Sequence, residues 1–238
     1  MNSKIIFWLD DSLSGLGLPK ILQEKYNFDI FGVFDVTDKP KKFFEKQKLI
    51  NFSKIWFFHD HINKTNQKPD REFLKLIEKK YKIDLGLLAS NDRFFNKFNQ
   101  FYKFSPDEIL LILEQECKLF EKILDEVKPD FLITVITTLH HNHLFYKICQ
   151  ARGVKILMLR SSYLRGQYII ASRSHLIDHA EYDEKHNFSS MSEIQNYLKN
   201  YTFTAEIDSW KQTFQNSKTK YFQAILKYLF SDNSNVKT

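Results

Sequence analysis

The sequence has few cysteines and no long apolar segment. Its two cysteines, Cys117 and Cys149, lie on the apolar faces of predicted helices, with no spacing typical of a metal site. We therefore expect buried, reduced thiols in a cytoplasmic protein. The first apolar run, residues 5–9, is too short for a signal-peptide core or a membrane span.

Positive charge is also scarce outside the C-terminus. The formal net charge is +6, but the segment 210–238 contains five lysines and one acid, so the remaining chain is nearly neutral. A nucleic-acid-binding domain needs a basic face, so we expect no nucleic-acid partner. A basic, amphipathic helix over residues 205–230 indicates contact with an anionic membrane surface, at the inner face of the membrane. The alternative is that this helix packs on the domain or on a partner domain.

Short apolar runs alternate with segments of helical spacing. Strands are predicted at residues 5–9, 28–36, 55–58, 85–89, 131–136 and 154–159. A capping box formed by Ser105 and Glu108, with Pro106 between them, predicts a long helix to residue 128. This order predicts an α/β fold: a Rossmann-like, doubly wound, mostly parallel sheet with helices on both faces, plus C-terminal helices.

The division of the chain follows from where this alternation ends. We expect a Rossmann-like domain at residues 1–175 and a helical C-terminal extension at 176–230, which packs on that domain or on a partner domain. Residues 231–238 are polar and predict a disordered tail.

Residues 129–173 form the most informative stretch. They predict a strand, a short helix and a second strand, with polar residues where each strand ends. Ligands of open α/β sheets bind at the carboxyl ends of the strands. We therefore predict a binding cleft at this edge of the sheet. Thr137 and His140 form one side of it, and Arg160, Ser161 and Arg165 form the other.

The loop after the first strand resembles a phosphate-binding turn. Ser12, Gly15 and Gly17 lie between that strand and a helix, where free backbone N–H groups can meet an anion. Lys20 stands where a dinucleotide fingerprint has its third glycine, so that fingerprint is not met. A turn without a chemical role is the alternative.

Three residues are candidates for a general base. His140 lies just past a strand end, and Asp10 and Asp11 follow the first strand; His and Asp both suit proton transfer near neutral pH. Each is alternatively a helix cap or a solvated turn residue. Arg93, Arg160 and Arg165 are candidates for binding phosphate or carboxylate groups, with surface ion pairs as the alternative.

The histidines raise the question of a metal site. His140, His141 and His143 are joined by His59 and His61, but neighbouring helical residues point apart. Neither a cysteine nor a pair of carboxylates completes a tetrahedral set in the sequence. We therefore expect no metal and no cofactor.

Four segments carry a resemblance to a known family. They are Asp10-Asp11-Ser12 with the loop to Gly17, Asn91-Asp92-Arg93-Phe94 before the long helix, Lys128-Pro129-Asp130-Phe131, and Leu159-Arg160-Ser161-Ser162. Over about residues 4–175 the chain resembles the N-terminal half of GT-B-type glycosyltransferases of capsular and surface polysaccharide biosynthesis.

The resemblance implies a function and partners. It implies a domain that binds the acceptor sugar and contributes a catalytic base, while a second Rossmann-like domain or subunit binds the sugar nucleotide. Two other interpretations stay open. One is a non-catalytic α/β domain that binds a small anionic ligand or a partner protein. The other is a small enzyme that acts on a phosphorylated substrate through the Gly15 and Gly17 loop.

Overall fold

The computed structural model describes residues 2–10, 13–65, 67–96, 102–161, 168–173 and 190–200. These residues fall into two compact units. Residues 190–200 belong to one, and all other described residues belong to the other. The predicted domain boundary near residue 175 lies outside the described residues and stays a prediction.

The described residues form one six-stranded sheet, which confirms the Rossmann-like α/β prediction. The strands are β1 (Lys4–Leu9), β2 (Asp29–Phe34), β3 (Lys54–Phe57), β4 (Phe131–Val135), β5 (Lys155–Ser161) and β6 (Tyr168–Ala171). Their order is β3-β2-β1-β4-β5-β6. All neighbouring pairs are parallel except β5 and β6, which are antiparallel. The order reverses between β1 and β4, which is where ligands of such sheets bind.

Helices and short 3-10 turns connect these strands. The turns are Leu13–Leu16 and Phe58–His61, and the helices are α1 (Gly17–Lys25), α2 (Asp38–Lys46), α3 (Arg71–Tyr81), α4 (Leu85–Asn91), α5 (Arg93–Asn96), α6 (Pro106–Val127), α7 (His140–Ala151) and α8 (Met191–Asn200). Among the described residues, no helix combines the length and the apolar character needed to cross a bilayer.

The sheet separates two apolar cores. Successive residues of a strand face opposite sides, and β1 shows this directly: Ile6 and Trp8 pack in one core, while Ile5, Phe7 and Leu9 pack in the other. Residues 5–9 are all buried. This accounts for the continuous apolar run, which is typical of a central parallel strand covered on both faces.

The long helix α6 begins as the sequence predicts. The Ser105 hydroxyl accepts a hydrogen bond from the Glu108 backbone N–H, and the Glu108 carboxylate accepts one from the Ser105 N–H. With 22 residues, α6 is about 33 Å long. It packs against α3 and α7, and its buried face includes two acids, Glu114 and Glu116.

The strand predicted at residues 85–89 is wrong, because this segment belongs to helix α4. The Asp84 carboxylate accepts a hydrogen bond of 2.7 Å from the Leu87 backbone N–H and so caps the helix. A short apolar run has no periodicity that separates a strand from a helix. Arg93 therefore follows a helix, and it does not lie at the end of a strand.

Candidate functional site

Buried polar groups gather at the carboxyl edge of the sheet. Asp35 follows β2, His59 follows β3, and His140 and His141 open α7 after β4. Since these strands are parallel and neighbours in one sheet, their carboxyl ends lie on the same edge. Two clusters of buried side chains lie on that edge.

Asp35 joins two imidazole rings. Its Oδ1 lies 2.8 Å from His59 Nε2, and its Oδ2 lies 2.7 Å from His141 Nε2. Burial alone raises the pKa of Asp35, but the hydrogen bonds from His141 and His59 outweigh it and hold the pKa well below its usual range. Asp35 is thus an ionised carboxylate that fixes both rings.

Aromatic packing fixes the His141 ring further. The ring stacks on Trp8 with centroids 5.7 Å apart and on Phe58 with centroids 4.7 Å apart. His141 is 1% exposed. Its plane is therefore set by β1 and by the turn after β3, and Asp35 sets which nitrogen faces the carboxylate.

His140 occupies a second cluster between two carboxylates. Its Nε2 lies 2.9 Å from Glu116 Oε1, its Nδ1 lies 3.4 Å from Asp92 Oδ2, and its backbone N–H donates to the Asp92 carboxylate. Burial lowers the pKa of His140, but the charge of Glu116 and the contact with Asp92 raise it to about 9. In these surroundings His140 keeps its proton near neutral pH, and the base role expected for it stays a prediction.

Asp92 links two helix starts. One carboxylate oxygen accepts a hydrogen bond of 2.5 Å from the Phe94 backbone N–H in α5, and the other accepts from the His140 backbone N–H in α7. Burial raises the pKa of Asp92, but the contact with the His140 side chain and the two backbone N–H groups lower it below its usual value. Asp92 is therefore an ionised cap that holds α7 against α5.

A cavity of about 410 Å³ opens beside this second cluster. It lies between α4, the segment after β4, and α7. Its polar lining consists of Lys82, Asp84, Asn91, Asp92, Thr137, Thr138, His140, His143 and Lys147. Its volume falls in the range of small-molecule sites, roughly 300–1,000 Å³.

His143 is the half-buried histidine of this cavity. Its Nδ1 lies 2.9 Å from the Thr137 hydroxyl. Burial, and then the positive charge of Lys147, lower the pKa of His143 below its usual value. Its imidazole is therefore neutral near pH 7, in contrast to that of His140.

The structure brings together only some of the residues that the sequence predicts for the site. Thr137 and His140 line the cavity, whereas Asp10, Gly15, Gly17, Arg93 and Arg160 do not. Asp10, Gly17 and Arg93 are exposed, and Gly15 and Arg160 are half-buried. Asp11, Ser12, Arg165 and the Ser161 side chain lie outside the described residues. The roles expected for all of these residues stay predictions.

Several residues of the two clusters were not predicted from the sequence. Asp35 follows β2 directly and His59 follows β3 after one residue, so their positions carried a usable signal. Glu116 carried another, because it lies on the apolar stripe of α6, where a charged side chain requires a buried partner. The local sequence did not indicate that Asp92 contacts His140, because the two residues are 48 positions apart.

Fold and site together define a Rossmann-like α/β domain with a polar cavity at the carboxyl edge of its sheet. No family model matches the chain, and no curated protein matches it. Among solved structures, the chain is similar to the PbgP3 protein from Burkholderia pseudomallei, with 10% identity and a TM-score of 0.27. This match covers 67% of the present chain and 52% of that one. A similarity this low carries no argument about function.

Proposed function

We propose that this chain is the acceptor-binding domain of a glycosyltransferase of surface polysaccharide biosynthesis. The observation that supports this function is the cavity beside β4, which is lined by hydroxyl, amide, imidazole and carboxylate groups. A sugar presents many hydroxyl groups, each of which donates and accepts hydrogen bonds. The lining is suited to such a ligand, and the cavity lies at the sheet edge where ligands of this fold bind.

Within this function, His143 is the residue that we assign as the base. A sugar hydroxyl that attacks an anomeric carbon has to lose a proton, and an imidazole accepts it well near neutral pH. When Nδ1–H of His143 donates to the Thr137 hydroxyl, which lies 2.9 Å away, Nε2 becomes the accepting nitrogen. Transfer then requires a sugar nucleotide held by a second Rossmann-like domain or subunit.

Saturation-transfer NMR with a panel of neutral and acidic saccharides tests acceptor binding. We expect a sugar to bind the wild type and to bind at least tenfold more weakly to Thr138→Val, which removes a cavity hydroxyl. His61→Ala is the control, because His61 is exposed and is not among the residues that line the cavity. Unchanged sugar binding in Thr138→Val contradicts the assignment of the cavity as the acceptor site.

A small anionic ligand is the second candidate. Lys82 and Lys147 line the same cavity, and a phosphate or carboxylate pairs with such cations. Binding of an anion weakens with salt and in Lys147→Gln, whereas binding of a neutral sugar responds little to either change. Tight binding of a sugar nucleotide by this chain alone favours an enzyme that acts on a phosphorylated substrate.

Contact with the inner face of the membrane is part of the same proposal. It rests on the basic composition of residues 210–238, which lie outside the described residues. Polybasic amphipathic helices bind anionic lipid surfaces. Co-sedimentation with anionic vesicles that is absent with neutral vesicles supports this contact, and equal recovery in the supernatant with both contradicts it.

A further inference from the structure

Three buried groups with metal-binding atoms meet between α6 and α7. Glu116, His140 and His141 each offer one such atom, and these atoms all lie within 4.8 Å of one another. The three residues are 1%, 3% and 1% exposed, respectively. The rings of His140 and His141 are nearly perpendicular, with an interplanar angle of 89° and centroids 5.0 Å apart. The neighbouring histidines therefore converge on Glu116 even though they are adjacent in the sequence.

Three buried atoms of this cluster have no hydrogen-bond partner in the part of the chain that the structure describes. They are Glu116 Oε2, His140 Nδ1 and His141 Nδ1. Buried polar atoms of folded proteins are almost always paired, so each such atom requires an explanation. His140 Nδ1 faces the Asp92 carboxylate at 3.4 Å. A ligand that accepts a lone pair from both a carboxylate and an imidazole explains Glu116 Oε2 and His141 Nδ1 together, and a metal cation is such a ligand.

Carboxylates outside the cluster orient the two imidazoles. His141 Nε2 lies 2.7 Å from Asp35 Oδ2, so Nε2–H donates to Asp35 and Nδ1 is the nitrogen left to face a cation. His140 Nδ1 lies 3.4 Å from Asp92 Oδ2, an ion-pair contact without hydrogen-bond geometry, and His140 Nε2 faces Glu116 Oε1 at 2.9 Å. Metal-binding histidines of proteins are oriented in the same way, by a carboxylate on the second nitrogen.

We propose that Glu116, His140 and His141 bind a divalent cation of the zinc type, through a carboxylate oxygen, Nε2 and Nδ1, respectively. The cation displaces the proton that His140 Nε2 shares with Glu116, and this proton is released to solvent. Two imidazoles and one carboxylate are a donor set that suits Zn²⁺. Bonds of about 2.0–2.1 Å place tetrahedral ligand atoms roughly 3.3 Å apart. One ligand atom from each of the three residues already lies within 4.8 Å of the other two, so these distances shorten by less than about 2 Å when a cation binds.

This site goes beyond the proposed function and does not depend on it. It also revises the expectation from the sequence that no metal binds. That expectation rested on neighbouring helical histidines pointing apart and on the lack of a cysteine or a pair of carboxylates. In the structure, ligand atoms of both histidines lie near the carboxylate of Glu116 from α6. Glu116 lies 24 positions before His140, so the spacing of the histidines alone did not indicate it.

Zinc binding by the full chain tests the proposal. Protein treated with EDTA and then dialysed is titrated with Zn²⁺ against a coloured chelator, and its thermal unfolding is followed. We expect one Zn²⁺ per chain and a higher Tm for the wild type. Glu116→Gln and His141→Gln are expected to weaken binding at least tenfold and to lose the increase in Tm. The exposed His61→Ala is the matched control and is expected to behave as the wild type.

Circular dichroism shows whether each variant folds. If neither Glu116→Gln nor His141→Gln folds, X-ray absorption of the zinc-loaded wild type tests the site instead. Two imidazole ligands give a characteristic scattering pattern. That pattern supports the site. A zinc ion without imidazole ligands overturns it, as does a wild type that takes up no zinc or a folded Glu116→Gln that binds zinc as tightly as the wild type.

Discussion

Three histidines within four positions of the chain have three different environments. His140 lies between the carboxylates of Glu116 and Asp92, and His141 lies between Asp35 and two aromatic rings. His143 faces the cavity with one nitrogen on a hydroxyl. Their residue type and spacing are nearly the same, so their different chemistry comes from groups that distant elements bring to α7.

The two cysteines make a prediction at the residue scale. Cys117 and Cys149 are free and buried, as the sequence predicts. Burial raises the pKa of both thiols above the usual value. Since the thiolate is the reactive form, we expect neither cysteine to react with a thiol-specific disulfide reagent in the native protein and both to react after denaturation.

An exposed cysteine is the control for that measurement. Ser90 is exposed near the end of α4, so Ser90→Cys is expected to give one thiol that reacts rapidly under native conditions. Rapid native labelling of the wild type, at the rate of Ser90→Cys, contradicts the burial of the two thiols.

At the scale of single elements, the end of α6 carries backbone strain. Lys128 follows the helix with φ of 51°, in the left-handed region. This conformation costs a non-glycine residue about 1–2 kcal/mol, and glycine usually occupies it at a helix end. We expect Lys128→Gly to increase the free energy of unfolding by about 1 kcal/mol, as measured by urea denaturation. Lys128→Ala keeps the Cβ and is expected to leave the free energy of unfolding unchanged. If both variants gain the same free energy of unfolding, the cause is the lost charge and not the relief of backbone strain.

The contact between α3 and α6 predicts a dependence of stability on pH. Glu121 Oε1 lies 2.5 Å from Lys80 Nζ and accepts a hydrogen bond of 2.7 Å from the Tyr81 hydroxyl. Burial raises the pKa of Glu121, but these two contacts outweigh burial and lower the pKa below its usual value. The folded state thus binds this proton more weakly than the unfolded state. The stabilisation that Glu121 contributes is complete above the pKa that Glu121 has in the unfolded state. It is lost as the pH falls through the lower pKa that Glu121 has in the folded state.

Glu121→Gln tests this contribution. We expect the variant to be less stable than the wild type at pH 7, and the difference to shrink as the pH is lowered from about 5 to about 3. Urea denaturation at several pH values measures it, with Glu126→Gln on the exposed side of α6 as the control. Parallel stability curves for the wild type and Glu121→Gln would exclude a lowered pKa of Glu121.

Local signals explain which elements could be predicted. The start of α6 and the buried strand β1 are encoded in consecutive residues, and both predictions are confirmed. The segment 85–89 is ambiguous, since its helix depends on the cap at Asp84. The clusters were predictable only in part. Thr137 and His140 follow a strand, but Glu116 and Asp35 meet the histidines through contacts that span 24 and 106 positions.

At the scale of the whole molecule, the sheet separates two apolar cores, one on each of its faces. Ile30 in β2 is fully buried in one core, and Ile123 in α6 is fully buried in the other. The two side chains share no cluster. Mutations at sites without shared neighbours have additive effects on stability. The architecture therefore predicts that a small loss in one core leaves the other core unchanged.

Ile30→Val and Ile123→Val test this separation. Each removes one buried methylene group and is expected to lower the free energy of unfolding by about 0.5–1.5 kcal/mol. The double variant is expected to lose the sum of the two single effects to within about 0.5 kcal/mol. Urea denaturation with an unchanged m-value measures all three, because a constant m-value shows that unfolding exposes the same surface. Residues in contact typically depart from additivity by about 1 kcal/mol or more. A double variant that departs from the sum by that much would show that the two cores are energetically coupled through the sheet.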